Sequence, residues 1–114
     1  MLLKINRIKK KKDFENVFKK SKSFKNNLFI FKVAKNNTRS NRFGFVVSQK
    51  VSKKATLRNK VRRRLMEIIG KIKNIKAGVD VVLIALPGIE KKDFSEIKTA
   101  LDEMFIRAEL ISEV

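Results

Sequence analysis

The sequence predicts an α+β fold, a small mixed sheet packed with helices, in the order helix, strand, strand, helix, strand, helix. Three observations carry that prediction. Residues 28–34 and 42–48 alternate apolar and other side chains with a period of two, which is strand periodicity. Residues 79–86 form a nearly continuous apolar strand closed by Pro87 and Gly88, and such continuity suggests cover on both faces. Residues 57–72 and 94–108 each carry an apolar stripe at helical spacing.

Taken in order, residues 4–12 read as a basic arm with Arg7, Lys9 and Lys10 inside it. Asp13 is placed to N-cap a short helix in which Phe14, Val17 and Phe18 stand at i, i+3 and i+4. A polar stretch follows over 19–27. In the first strand Phe29, Phe31 and Val33 share one face, and Leu28, Ile30 and Lys32 the other. After a turn-like stretch at 36–41, Phe43, Phe45 and Val47 oppose Arg42, Gly44, Val46 and Ser48, and the two strands are expected to pair as a hairpin. A basic connection at 49–54 leads into a helix starting near Ala55 or Thr56 and fraying around Gly70. Asp93 with Glu96 makes a capping box for the last helix, whose stripe is Phe94, Ile97, Leu101, Met104, Phe105 and Ala108.

A chain of 114 residues, 43% of them hydrophobic, suits one domain over 1–114 with residues 1–12 as its basic arm. Cysteine and histidine are both absent, which removes disulfides, thiolate metal sites, the commonest metal ligand and the usual general base. A self-sufficient hydrolase would have to work with carboxylates, Lys and hydroxyls. Residues 1–3 are followed at once by charge and the longest apolar run, 81–86, is too short to span a bilayer, so no signal peptide is expected and the cytoplasm is the expected location.

Charge points to the partner. The net charge is +18, from 29 Lys and Arg against 11 Asp and Glu. Residues 1–64 hold 22 of the bases and 2 of the acids, so a polyanion-binding surface must come from the first 64 residues. An AT-rich genome favours Lys, Asn and Ile without any functional cause, but it does not explain why four of the eight Arg lie between 58 and 64. Leu57, Val61, Leu65, Ile68, Ile69 and Ile72 fall within a sector of about 120° on a helix, while Arg58, Asn59, Lys60, Arg62, Arg63 and Arg64 take nearly all the rest of its first two turns. One face can bury and the other can grip phosphate, Arg through a planar fork that reaches two oxygens at once.

Arg58-Asn59-Lys60-Val61-Arg62-Arg63, preceded by Val47-Ser48-Gln49-Lys50 and Ala55-Thr56, closely resembles the signature of the bacterial ribonuclease P protein component. Asn6-Arg7-Ile8-Lys9-Lys10, then Asp13-Phe14 and Val17-Phe18, looks like the opening of the same family, and the resemblance runs at least through 79–86. It implies an α/β sandwich with a left-handed strand, helix, strand crossover, against the usual hand. It implies the protein subunit of a ribonucleoprotein endonuclease that removes the 5′ leader of precursor tRNA. In such an enzyme the catalytic RNA and its Mg²⁺ ions, held mainly by the RNA and substrate, do the chemistry, so the protein contributes no catalytic residue and no metal ligand.

Carried onto this chain, the resemblance assigns Lys50, Lys53, Arg58, Asn59, Lys60, Arg62, Arg63 and Arg64 to the RNA subunit and Phe14, Phe18, Phe31 and Lys32 to a leader cleft. Its partners are the ribonuclease P RNA and precursor tRNA, with no membrane and no obligate protein partner. The chain departs from the family pattern in Lys60, which keeps charge but loses the fork, and in Met66, where another Arg is common. There is one extra residue between Lys50 and Ala55, and an Ala85-Leu86-Pro87-Gly88 turn where the family often has Ala-Arg-Lys-Pro.

Other readings stand beside these. Phe14 and Phe18 can be core residues sealing the first helix to the sheet, while Phe29, Phe43 and Phe45 read as core. The alternative function is a structural ribosomal-type RNA-binding protein, which shares the basic face but needs no leader cleft. An independent nuclease would need Asp80 and a neighbouring carboxylate to hold metal, yet Asp80 stands alone in an apolar strand.

Overall fold

The computed structural model describes residues 7–111, so Lys4 and Asn6 of the basic arm lie outside the described residues. The elements are α1 (Lys11–Lys20), β1 (Lys22–Lys25), β2 (Phe29–Lys35), β3 (Arg42–Val46), α2 (Ala55–Gly70), β4 (Val79–Ala85) and α3 (Phe94–Arg107), with a 3-10 turn at Ile89–Lys91 before α3. The α+β class holds, and the sheet is mixed, in the order β1-β2-β4-β3. Among the described residues no helix is long and apolar enough to cross a membrane.

Three local expectations are corrected. The polar stretch 19–27 contains a strand, because β1 pairs antiparallel with β2, Phe24 opposite Phe31. The Asn26 side chain turns the chain by accepting from the N–H groups of Leu28 and Phe29 at 2.8 and 2.9 Å. Lys22 and Lys25 stand at the ends of this outer strand, where lysine discourages further pairing. Strands β2 and β3 do not form a hairpin, since β4 lies between them, antiparallel to β2 and parallel to β3. Its position follows from composition: six of its seven residues are buried, so it needs cover on both sides, and the parallel pair is then joined through α2. Finally, Asp13 is not an N-cap. Helix α1 starts three residues earlier, at Lys11, taking the last two residues of the expected arm, and Asp13 sits in its first turn, where its charge suits the helix dipole.

Strand alternation sends side chains into two unequal layers. Phe29, Phe31, Phe43, Val81 and Leu83 point to the face covered by α2 and α3, where they meet Leu65, Ile68, Ile69, Leu101 and Phe105. Phe31 lies edge-on to Phe105, centroids 5.1 Å apart. Val61, Leu65, Ile68 and Ile69 of the predicted α2 stripe are buried and Met66 joins them. Asp93 caps α3 as expected, accepting from the Glu96 N–H at 2.8 Å. The opposite face holds a smaller cluster in which Val17 of α1 meets Ile8, Ala34 and Val82. Ile8 is fixed by its N–H to the Phe43 carbonyl at 2.8 Å, and Arg7 bridges to the edge of β3.

Candidate RNA-binding surfaces

Helix α2 presents the first surface. Its buried stripe fixes its rotation, so Asn59, Lys60 and Arg63 are left exposed and Arg58, Arg62 and Arg64 half-buried. It has no side-chain cap and no acid in its first turn, so the charges there are opposite to those that stabilise a helix N-terminus. The packing of α2 on the core supplies the stability that capping would have given, and the cations remain available for a polyanion.

The individual side chains are not equivalent. Arg58 donates from Nη1 to the carbonyls of Ser52 and Lys53 at 3.1 and 3.0 Å, tying the basic connection to the helix. Val47 and Val51, both buried, anchor that connection and leave Lys50 and Lys53 exposed beside it. Arg62 donates to Asn59 Oδ1 at 2.6 Å, which holds its fork along the helix surface. Arg64 reaches instead to the Lys92 carbonyl at 3.0 Å, toward the start of α3. Arg7 comes alongside α2, and with Thr56, Asn59, Arg62, Arg63 and Met66 it lines a hollow of about 360 Å³. The described part of the arm thus joins the helix surface through Arg7, while Lys9 and Lys10 lead exposed into α1.

The second surface lies beside α1. This helix crosses the sheet from β3 to β2: the Phe14 ring covers Gly44, Val17 packs on Val82, and Phe18 lies beside Lys32. A Cβ on Gly44 would come within 2.5 Å of Phe14 Cε1, so glycine is what lets the ring rest on the strand. Phe18 is 44% exposed, and Lys32 Nζ stands 6.0 Å from its ring centroid while donating to Ser23 Oγ at 3.4 Å. Half-buried Ile30, Val46 and Ile84 continue the apolar floor. Phe14, Phe18 and Lys32 are therefore brought together. Phe31 is not: it has no exposed surface and points to the other face, as the opposite parity of residues 31 and 32 requires. That parity was readable from the strand pattern and excludes Phe31 from any cleft containing Lys32.

A polar tie that the spacing of the sequence does not announce holds α1 in place. Arg42 donates to Asp80 twice, Nε to Oδ1 at 2.9 Å and Nη2 to Oδ2 at 2.6 Å, and approaches Asp13 at 3.4 Å. Asn36 Nδ2 adds a third donor to Asp80 at 2.8 Å. The hydrogen bonds to Asp80 raise the Arg42 pKa above its already high ordinary value, against the opposing effect of burial, and the Asp80 and Asp13 charges add to the rise. Asp80 is the one buried charged residue among those described, and its oxygens are committed to these donors. Among the described residues no group of three or more His, Cys, Asp or Glu side chains gathers where it could hold a metal ion.

Known proteins resemble this one in sequence and in fold. The family model described as Ribonuclease P matches residues 2–109. A ribonuclease P protein component from Clostridium botulinum is 38% identical over 108 residues, covering 93% of this chain and 96% of the relative. One from Alkaliphilus metalliredigens is 37% identical over 111 residues, covering 94% and 96%. A structure of a Staphylococcus aureus RNase P protein mutant matches with a TM-score of 0.87 at 30% identity, over 95% of this chain and 92% of that one. The RNase P protein from Thermotoga maritima matches at 0.80 and 33%, over 89% and 96%. By its sequence along almost its whole length, and by its fold, the chain belongs to the ribonuclease P family as a protein component.

Proposed function

We propose that this protein binds the catalytic RNA of ribonuclease P through α2 and its basic connection, and the single-stranded 5′ leader of precursor tRNA through the cleft of Phe14, Phe18 and Lys32. The observation that carries the reading is the separation of two different chemistries on two different elements. Clustered, sequence-blind cations on α2 suit the phosphates of a folded RNA. An exposed aromatic ring beside a cation suits the bases of a single strand, because every base has a face to stack. The protein supplies no acid, base or nucleophile in this account. The RNA and substrate hold the Mg²⁺, and the complex works in the cytoplasm.

Cationic side chains at the interface replace counterions, so the protein lowers the Mg²⁺ needed for cleavage. The test is cleavage of a precursor tRNA by a bacterial ribonuclease P RNA across a Mg²⁺ series, with and without the protein. The expected result is leader removal at low Mg²⁺ only when both are present. Cleavage by the protein alone after rigorous removal of RNA, or no effect of the protein at any Mg²⁺ concentration, contradicts the reading.

A further inference from the structure

The hollow beside α2 has an interior that a purely cationic surface does not require. Thr56, Asn59, Arg63 and Met66 follow one another at i, i+3, i+7 and i+10, so they form one stripe along the flank of the helix, with Arg62 next to it. The other wall comes from the arm through Arg7. Ile8 packs with Val17 beneath α1, so Arg7, its neighbour in extended chain and the partner of Phe43, points to the α2 side of the sheet. Three guanidinium groups therefore border one hollow of about 360 Å³, with no acid among its lining residues. Arg7 and Arg63 make no side-chain hydrogen bond or ion pair with any other described residue, and Asn59, whose oxygen accepts from Arg62, keeps its amide donors. Met66, 7% exposed, is the one buried member of the lining and forms its floor.

We infer that this hollow seats one unpaired nucleotide of the RNA subunit, its base on the Met66 thioether and its phosphate between Arg7 and Arg63. The inference rests on the α2 reading above and deepens it, from a face that neutralises phosphates to a pocket that takes a base. The lining selects that occupant. A rim of donors calls for an anion, and guanidinium forks meet phosphate oxygens in pairs. A phosphate alone has no use for an apolar floor, where it would lose solvation. A flat base gains there, because sulfur packs favourably against aromatic rings. The volume also lies within the range of small-ligand sites, roughly 300 to 1,000 Å³.

The test follows the Met66 methyl group by NMR in the full chain labelled at methionine, with Met104, 2% exposed in the main core, as internal reference. The probes are adenosine 5′-monophosphate and ribose 5-phosphate, which carries the same phosphate and sugar without the base. Adenosine monophosphate moves the Met66 methyl upfield, through the ring current of a base lying on it, and leaves Met104 in place. Ribose 5-phosphate binds about fivefold more weakly, the size of one contact between sulfur and an aromatic ring, and produces no such shift. Arg7→Ala weakens both probes about tenfold, as expected for one hydrogen bond to a charged group. The ribonuclease P RNA of the same organism moves the Met66 methyl in the same direction as adenosine monophosphate.

A second arm sets the base against charge. Met66→Arg adds a cation and removes the apolar floor, so a seated base predicts assembly with the RNA subunit about fivefold weaker, although the positive charge has risen. A surface that acts by charge alone predicts tighter assembly. Met66→Leu keeps an apolar floor and assembles like the unaltered protein, and thermal unfolding checks that both variants are folded. The site is rejected if the two probes bind alike, if the Met66 methyl responds to neither adenosine monophosphate nor the RNA, or if folded Met66→Arg assembles more tightly. Failure of the α2 reading looks different: Lys60→Ala with Arg63→Ala assembles with the RNA as tightly as the unaltered protein, while adenosine monophosphate still shifts the methyl of the unaltered protein. That result overturns the RNA subunit as the occupant.

Discussion

Helices α1 and α2 are fastened to the protein in contrasting ways. Five residues of α2 are buried, in a face that packs on the sheet and on α3, so its cationic surface is positioned by the main core. Of α1 only Val17 is buried, and the helix is kept on the sheet by a small cluster together with the tie from Arg42 to Asp80 and Asp13. The surface assigned to the RNA subunit therefore tolerates local damage, whereas the surface assigned to the leader depends on a few side chains. Loss of leader discrimination with intact assembly is the phenotype to expect from lesions near α1.

The largest expected effect removes both functions at once. Phe31→Ala empties a fully buried site against Phe105 and should cost about 3 to 5 kcal/mol of folding stability, read by denaturant or thermal unfolding. Where the variant remains folded, the precursor-to-mature binding ratio should be unchanged. A lowered ratio with little loss of stability would return Phe31 to the cleft.

Arg42→Ala separates the two helices. It leaves Asp80, only 5% exposed, with Asn36 as its one side-chain donor among the described residues, a loss of about 3 kcal/mol by comparison with other broken buried pairs. Helix α1 loses its anchor while α2 keeps its core, so hydrogen exchange should quicken in α1 first and leader discrimination should fall before RNA assembly does. Equal acceleration in α1 and α2 would mean that the tie supports the whole fold.

Phe18→Ala acts at the cleft itself. Removing one stack costs on the order of 1 to 3 kcal/mol, and it should appear in precursor binding and not in mature tRNA binding. Smaller per residue is the effect of Lys60→Ala with Arg63→Ala. Both side chains are exposed and make no hydrogen bond or ion pair with any other described residue, so the fold should be unaffected, while the salt dependence of assembly should weaken by about 0.7 to 0.9 log units per log unit of salt for each phosphate no longer neutralised.

Long periodic segments were legible in the sequence because their local pattern and their tertiary environment agree. The α2 stripe, the β4 run and the Asp93 cap of α3 all appear where the residues put them. Pairings were not legible, because they depend on which strand most needs cover. The insertion of β4 between β2 and β3 satisfies its two apolar faces, and nothing in the polar 36–41 connection announces that the strands it joins are not neighbours. Strand β1, Lys-Ser-Phe-Lys, is too short and too charged to declare itself without β2 beside it. At the candidate site, the cations of α2 were visible in their spacing, and Phe14, Phe18 and Lys32 came with the family resemblance. The Arg42 to Asp80 tie was hidden because its members lie 38 residues apart and meet only through the register of β3 and β4.

The central claim is that assembly with the RNA and recognition of the leader reside on separate faces. It is tested most directly by measuring, for Phe18→Ala and for Lys60→Ala with Arg63→Ala in parallel, the affinity for the RNA subunit and the precursor-to-mature tRNA binding ratio of the assembled enzyme. Two separate faces give a crossed result: Phe18→Ala lowers the ratio on the order of tenfold and leaves assembly alone, while the α2 variant weakens assembly and leaves the ratio alone. Parallel losses in both quantities from either variant would mean a single undivided RNA-binding surface and would contradict the account.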